Sequence, residues 1–448
     1  MKHIRHTRYI KKHLSSSQII ILGFAGVILL GSLLLMLPIS TQDGKGAIFT
    51  DALFTATSAV CVTGLIVRDT ATYWSTFGQT IILFLIQIGG MGVITVAVAI
   101  SVISGKRISL KQRSTMQEAI SAHKVGGIVR LTGFIIKITI IFELIGAVSM
   151  FPSFYKMFGA RKGMWYAFFH SISAFCNAGF DLMGIEAPYS SLTSFIENPV
   201  INLSVMSLII LGGIGFMTWD DIKSHTCHIQ KYRMQSKIIL LTTSLLIVLP
   251  ALYFFFLEFE HIPVGKRILI SLFQAVTPRT AGFNTIDLTQ LSEVGIAIMI
   301  ILMLIGGSPG STAGGMKTTT IAVLLSTAIS VFRRREHTHF FGRRVDDDTI
   351  RNAATILMMY LTLFVFGGFI ISRIENLPLL VCLFETASAI GTVGLTLGIT
   401  PQLGILSRFL LIFLMYIGRV GGLTLIFSAL SGNQGHTARF PQEKLTVG

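Results

Sequence analysis

The chain has 448 residues, 52% of them hydrophobic and only 13% charged, and its mean hydropathy is +0.72. A soluble domain carries about twice that charged fraction, so the composition excludes a soluble globular protein. The net charge of +15 does not mark a nucleic-acid partner, because the basic residues are scattered over five short segments: Lys2–Lys12, Lys106–Arg113, Lys223–Lys237, Arg333–Arg351 and Arg439–Lys444. No basic domain is there to hold a duplex. The positive-inside rule instead places all five segments, and with them both termini, on the cytoplasmic face of a membrane.

Apolar runs of about 20 residues, enough to cross a bilayer core of about 30 Å, recur along the chain. They form four similar units, 1–105, 106–222, 223–335 and 336–448. Each reads as a span, a short re-entrant helix, a glycine loop and a returning span. In the first, Ile19–Leu37 crosses, Phe49–Ala59 re-enters and Phe77–Ser101 returns. Ile19–Leu37 follows a basic head as a signal peptide would, but it is too long for a signal core and lacks a small-residue cleavage site, so it reads as a retained helix. The second unit uses Ile128–Met150, Met164–Phe175 and Val200–Met217; the third uses Ile238–Phe256, Lys266–Thr277 and a long segment, Val294–Phe332. The fourth uses Ala353–Ile371, Leu379–Ala389 and Leu406–Leu430, with Pro378 at a helix start that tolerates it. Re-entrant helices of about 11 residues reach only about 17 Å. Such backbone survives at membrane depth only where protein or water shields it from lipid. Phe54, Phe169 and Phe384, with Leu272 in the third unit, stand ten residues before each loop glycine and are expected to anchor these helices.

The loops themselves repeat: Ser58-Ala-Val-Cys-Val-Thr-Gly64-Leu65, Ser173-Ala-Phe-Cys-Asn-Ala-Gly179-Phe180, Val276-Thr-Pro-Arg-Thr-Ala-Gly282-Phe283 and Ser388-Ala-Ile-Gly-Thr-Val-Gly394-Leu395. Their glycines are 115, 103 and 112 residues apart. Four such loops in a membrane chain predict a pore of pseudo-four-fold symmetry lined by backbone carbonyls. Carbonyls replace the water shell of a cation without fixed charge, and glycine adopts the dihedrals that aim them inward. The candidate filter is Val62, Thr63, Gly64, Asn177, Ala178, Gly179, Thr280, Ala281, Gly282, Thr392, Val393 and Gly394. These neutral residues suit an alkali cation better than a divalent one, and the C-terminal ends of four short helices add negative potential.

A second signature recurs in the returning spans: Ile88-Gly-Gly-Met-Gly92, Leu211-Gly-Gly-Ile-Gly215, Ile305-Gly-Gly-Ser-Pro-Gly310 and Ile417-Gly-Arg-Val-Gly-Gly422. Glycine in such a helix means close packing or a bend. The third returning segment would measure about 58 Å as one helix. Its middle, Gly306-Gly-Ser-Pro-Gly-Ser-Thr-Ala-Gly-Gly-Met-Lys-Thr318, cannot sustain one, so two half-helices joined by an unwound loop at membrane depth are expected. A structural kink is the bland alternative. A Walker A loop is excluded because Met316 separates Gly315 from Lys317 and no βαβ unit surrounds it. Arg419 interrupts the fourth returning span; it either faces the interior with a partner or snorkels to the interface. Lys317 is a gate residue or an interfacial anchor. Arg279, Glu385, Asp181 and Asp287 near the loops are vestibule charges or structural pairs.

These motifs resemble the membrane subunit of the Trk/Ktr/HKT superfamily of potassium transporters, specifically the bacterial KtrB/KtrD type, over nearly the whole chain. The resemblance implies an all-α polytopic fold of eight transmembrane helices and four re-entrant pore helices around one K⁺ pathway, in the bacterial cell membrane. It makes 306–318 an intramembrane gating loop, with Gly310, Ser311, Thr312, Ala313, Gly314, Gly315 and Lys317 at the gate and Arg419 holding it closed. Gly64, where sodium-selective plant relatives carry Ser, favours potassium; dependence on Na⁺ stays open. It further implies a homodimer and a cytoplasmic ring of RCK subunits of the KtrA/KtrC type, which would bind the ATP or ADP, this chain holding no cofactor beyond its transported ion. The basic loops are docking surfaces for that ring or topology signals alone.

Rival classes fit less well. A membrane enzyme needs clustered His, Asp, Glu or Cys at depth, and the spans offer almost none. An alternating-access carrier predicts inverted repeats, whereas these run parallel. The four cysteines supply no disulfide framework, and His225-Thr-Cys227-His228 offers too few metal ligands.

Overall fold

The computed structural model describes residues 15–104, 108–120, 127–226 and 228–421. It is almost wholly helical. α1 (Ser16–Leu35) starts at Ser15, whose side chain accepts from Gln18 N while Gln18 Oε1 accepts from Ser15 N, so two backbone donors at the helix start are satisfied. α2 (Phe49–Val60) is the first short helix. The first returning segment is α3 (Thr76–Met91), capped by Ser75, followed by α4 (Val93–Ile103). α5 (Leu110–Ala119) precedes α6 (Ile128–Phe175), which is broken at Gly159 (φ 74°). Thus the span and the re-entrant helix read separately in the second unit are two arms of one broken rod. α7 (Pro199–Gly213) starts with Asn198 as cap and Pro199 at its first position, and α8 (Phe216–His225) follows.

α9 (Met234–Tyr253) ends in a π turn, Phe254–Glu258, and leads to the short α10 (Val264–Val276). The third returning segment is two helices, α11 (Glu293–Leu304) and α12 (Thr318–Phe332), with an unwound stretch between them. The sequence reading of this segment matches the backbone. A two-residue hairpin, His339–Phe340 with Arg343–Arg344, precedes α13 (Asp347–Glu375), α14 (Leu379–Gly391) and α15 (Ile405–Val420). The expected continuation of the last span to Leu430 lies outside the described residues.

Among the described residues, α1, α6, α9 with its π turn, and α13 are long and apolar enough to cross a membrane. Only about a third of each apolar window is buried, 28–33%. The remainder presents side chains such as Leu22, Leu30, Val148 and Phe366 outward, as a lipid-facing helix does. This is a multi-pass membrane protein.

The first two returning spans are bent, one of the two meanings that the glycine signature carried in Phe77–Ser101 and Val200–Met217. α3/α4 and α7/α8 each bend by 94°, at Gly92 (φ 86°) and Gly215 (φ 89°). The glycine signature does both jobs at once. Its first glycine permits contact: a methyl group on Gly89 or Gly212 would overlap the carbonyl oxygen of Val60 or Phe175. Its last glycine takes the left-handed dihedral that turns the chain.

Candidate functional site

α2, the second arm of α6, α10 and α14 all end on buried loops, and the four loops share one backbone. Val62, Asn177, Thr280 and Thr392, each two residues before a loop glycine, have φ of 51°, 58°, 61° and 50°. The glycines that follow have φ of 93°, 69°, 80° and 94°. A left-handed residue that is not glycine costs about 1–2 kcal/mol, so four at one register is a stored strain that surrounding packing must hold. The packing is complete: Val62, Thr63, Asn177, Ala178, Thr280, Ala281, Thr392 and Val393 are all buried.

The loops close on one another in cyclic order. A Cβ on Gly64 would lie 2.6 Å from the Ala178 carbonyl oxygen, and one on Gly179 would lie 2.7 Å from that of Ala281. On Gly282 it would overlap the Val393 carbonyl, and on Gly394 that of Thr63. The ring therefore runs 64, 179, 282, 394 and back to 64, with the carbonyl preceding each glycine set against the neighbouring loop. No side chain larger than hydrogen fits. Of the twelve residues expected to form the filter, the four glycines and the residue before each meet in this ring, and the left-handed residues stand one position behind it.

The side chains that brace each loop differ. Ser58 and Ser388 accept from the backbone N–H of Gly64 and Gly394, both at 3.0 Å. Ser173 instead donates to Phe180 O at 2.7 Å, and Thr277 donates to Phe283 O at 2.6 Å. Thr277 thus replaces the serine that the third unit lacks. Phe54, Phe169 and Phe384 are fully buried as expected of anchors; in the third unit the buried aromatic is Phe273, next to the half-buried Leu272.

On one side, all four glycines line a cavity of about 230 Å³, together with Asp181, Tyr189, Asn284 and Thr396. On the other side lies the unwound stretch between α11 and α12. It begins and ends by pairing with itself, Gly306 N donating to Met316 O at 2.8 Å and Thr318 N to Gly307 O at 3.0 Å. Its neighbours hold the rest: Ser308 N donates to Gly213 O, Thr312 N to Gly212 O, Gly315 N to Gly418 O, and Phe216 N to Gly310 O, at 2.8–3.2 Å. A Cβ on Gly314 would strike the Thr392 hydroxyl, and one on Gly315 would lie 2.8 Å from Gly391 O. The stretch is pressed against the base of the fourth loop.

Two cations sit in this region. Arg419 donates to the carbonyls of Thr312, Gly89 and Gly90, linking the stretch to α3. Lys317 Nζ donates to Ala313 O at 2.9 Å and Gly314 O at 3.3 Å. Ser311, Ala313, Lys317 and Arg419 border a second cavity of about 200 Å³. An uncapped carbonyl in a dry interior attracts any cation, and here side chains occupy that role.

The remaining charged candidates divide. Glu385 is buried within α14 and accepts from Thr396 at 2.8 Å and from Thr400, a structural brace. Asp287 caps the turn after it, and its bonds from Thr289 and Gln290 hold the carboxyl below the usual range. Asp181 borders the first cavity while accepting from Met183 N at 2.9 Å. Arg279 is buried, with Nη1 unpartnered and Nη2 3.4 Å from the Thr243 hydroxyl. Cys227 lies outside the described residues, and among those described no three His, Cys, Asp or Glu side chains group as metal ligands.

Two polar clusters went unread in the sequence. Glu143, on α6, lies buried with Gln87 Nε2 at 3.2 Å and Cys176 Sγ at 3.9 Å. A lone acid in an apolar run was the available signal. Asp51, fully buried in the first turn of α2, pairs with Arg68 at 2.7 Å and Arg408 at 2.9 Å. Three distant positions meet there, and no local pattern announces it.

The sequence model of the TrkH family, described as cation transport protein, matches residues 4–436. The chain is 39% identical to the potassium/sodium uptake protein NtpJ of Enterococcus hirae, covering 98% of both chains. It is 39% identical to the Ktr system potassium uptake protein B of Bacillus subtilis, covering 96% of both, and 34% identical to that organism's Ktr system protein D, covering 97% and 98%. The crystal structure of the potassium transporter TrkH of Vibrio parahaemolyticus superposes with a TM-score of 0.73 at 20% identity, over 92% of this chain and 84% of that one, a likeness of fold. With the match spanning nearly every residue, the chain belongs to the TrkH family of cation transport proteins, a family of transporters and not of enzymes.

Proposed function

We propose that this chain is the ion-translocating subunit of a Ktr-type potassium uptake system in a bacterial cell membrane. K⁺ would cross through a filter made by the carbonyls around Gly64, Gly179, Gly282 and Gly394. The observation that carries the reading is the cyclic closure of four loops in one strained backbone conformation. A dehydrated alkali cation needs several neutral oxygens at once, and four loops converging on one ring can supply them. The cavity bordered by Asp181 is the outer vestibule, and the cavity bordered by Arg419 faces the cytoplasm, as the basic loops require. Relatives named as potassium and potassium/sodium uptake proteins support K⁺ as the cargo, with Na⁺ as a second ion to test.

The stretch 306–318 is the gate, held under the filter by Arg419 and Lys317. The protein works as a homodimer, and a cytoplasmic RCK ring that binds ATP or ADP moves the gate. Relatives named as proteins of a Ktr system support this reading.

Expression in a bacterium lacking its own potassium importers tests the reading, with and without a cognate RCK subunit. Growth at low K⁺ and Rb⁺ uptake are expected, both abolished by Gly64→Asp. Well-expressed protein that moves another ion but not Rb⁺ overturns the substrate. Deleting residues 310–315 is expected to raise flux; unchanged flux in folded protein refutes the gate.

A further inference from the structure

We propose that Asn177 ties the position of the 306–318 stretch to the shape of the glycine ring, so that ion selectivity, and not flux alone, depends on the gate. The proposal rests on the filter and gate reading above and adds a physical link between them.

Asn177 is one of the four left-handed residues two positions before a ring glycine. Its side chain faces three partners. Nδ2 lies 3.2 Å from Arg279 O, in the third loop, and 3.4 Å from Ile209 O on α7. Oδ1 accepts from the Thr312 hydroxyl at 3.0 Å. The same hydroxyl lies 2.9 Å from Phe175 O, at the end of α6, so its single hydrogen is shared between the two acceptors. The amide orientation follows from its partners: two carbonyls demand the NH₂ group, and the remaining neighbour is the one that can donate.

The other three loops have no such link. Val62 has no polar group, and the hydroxyls of Thr280 and Thr392 are buried without a partner. Among the described residues the second loop alone therefore has a side-chain hydrogen bond to the stretch beneath it, while the fourth packs against it through Thr392 and Gly391. Arg279 O belongs to the residue just before left-handed Thr280, so Asn177 holds the second and third loops in register. Thr312 is itself pinned, through its N–H to Gly212 O at 3.2 Å and through its carbonyl to Arg419. Withdrawing the stretch takes Thr312 away and leaves the buried Oδ1 without a donor. A buried amide in that position re-orients to find one, and its hold on Arg279 O goes with it.

The test uses the full chain with its cytoplasmic partner in proteoliposomes, reading K⁺/Na⁺ permeability from reversal potentials and flux separately. Thr312→Val keeps the shape and removes the hydroxyl; Thr312→Ser keeps the hydroxyl. Thr312→Val is expected to lower the K⁺/Na⁺ preference about fivefold, the size of one neutral hydrogen bond, while Thr312→Ser matches the parent. Asn177→Ala is expected to lower it at least as far, and adding Thr312→Val to it should change selectivity no further. Higher flux at unchanged selectivity in Thr312→Val would overturn the coupling and leave the gate standing. Selectivity lost equally in Thr312→Ser would overturn it too. Should Gly64→Ser leave selectivity untouched, the filter reading itself fails, which separates the two failures.

Discussion

Removing the Arg419 guanidinium is the sharpest perturbation of the gate. Of its three carbonyl partners, Gly89 and Gly90 belong to α3, and only Thr312 belongs to the stretch proposed as the gate. On the proposal that the stretch leaves while α3 stays, the bonds to α3 drop out of the difference. What remains is one charge-assisted bond, worth about 1.5–3 kcal/mol. Arg419→Gln should therefore shift the closed-to-open ratio by about 10- to 150-fold. The change is largest where the open state is rare, without the partner subunit, and saturates once that state dominates. Rb⁺ uptake into proteoliposomes holding this chain alone measures it. Arg419→Lys keeps the charge on a compact head that reaches fewer carbonyls and is expected to fall between. Flux that is unchanged or lower in Arg419→Gln, in protein of parental thermal stability, refutes the reasoning.

Other outcomes follow from single contacts. Gly89→Ala puts a methyl group into the Val60 carbonyl; overpacking of about 1–3 kcal/mol should lower the melting temperature in detergent, and a parental Tm would contradict the packing. Asp51→Asn leaves Arg68 and Arg408 without their buried carboxylate. Because Arg68 is 47% exposed, the full buried-pair penalty of about 3–5 kcal/mol shrinks to about 1–3 kcal/mol, read again as a lower Tm. Burial pushes the Asp181 carboxyl up to about 7, so above that pH Asp181→Asn removes a carboxylate from the cavity above the ring. It should raise the half-saturating K⁺ concentration about three- to tenfold at the same maximal rate, and a fall in maximal rate alone would exclude a recruiting role.

The glycine ring was legible because its requirement is absolute. A backbone that turns left-handed within reach of another carbonyl admits one residue, and that residue marks Gly64, Gly179, Gly282 and Gly394 on the page. The break between α11 and α12 was legible for the same kind of reason, Pro309 and five glycines being incompatible with a helix. The bends at Gly92 and Gly215 were half legible. Their glycines were visible and meant packing or a bend; past Gly92 the apolar run continues, so the angle of 94° could not be read there, whereas past Gly215 it gives way to Asp220 and Asp221. Gly159 was missed outright, since a single glycine between two helical runs looks like a loop even where the rods stay joined. Glu143 could have been read, and was not. The reach of Asn177 and the triple meeting at Asp51 were beyond reading, because each depends on residues more than a hundred positions away in at least one contact.

Symmetry is also unequally shared. The ring and its left-handed residues obey the four-fold repeat closely, and three departures from it lie together on one side. Among the described residues the third returning span alone unwinds, the fourth alone places an arginine where the other three have glycine, and the second loop alone puts an amide beneath its glycine. These three departures touch: Arg419 binds Thr312, and Thr312 binds Asn177. Coordination of a spherical ion demands equal loops, whereas control demands that one direction differ from the others. A chain of four repeats can satisfy both, because each copy is free to diverge where a true homotetramer would have to change all four at once. The contiguity of the departures is what separates a device from drift. Substitutions accumulated without a shared role would scatter over the repeats; here they form one path from the fourth span, through the unwound stretch, to the second loop.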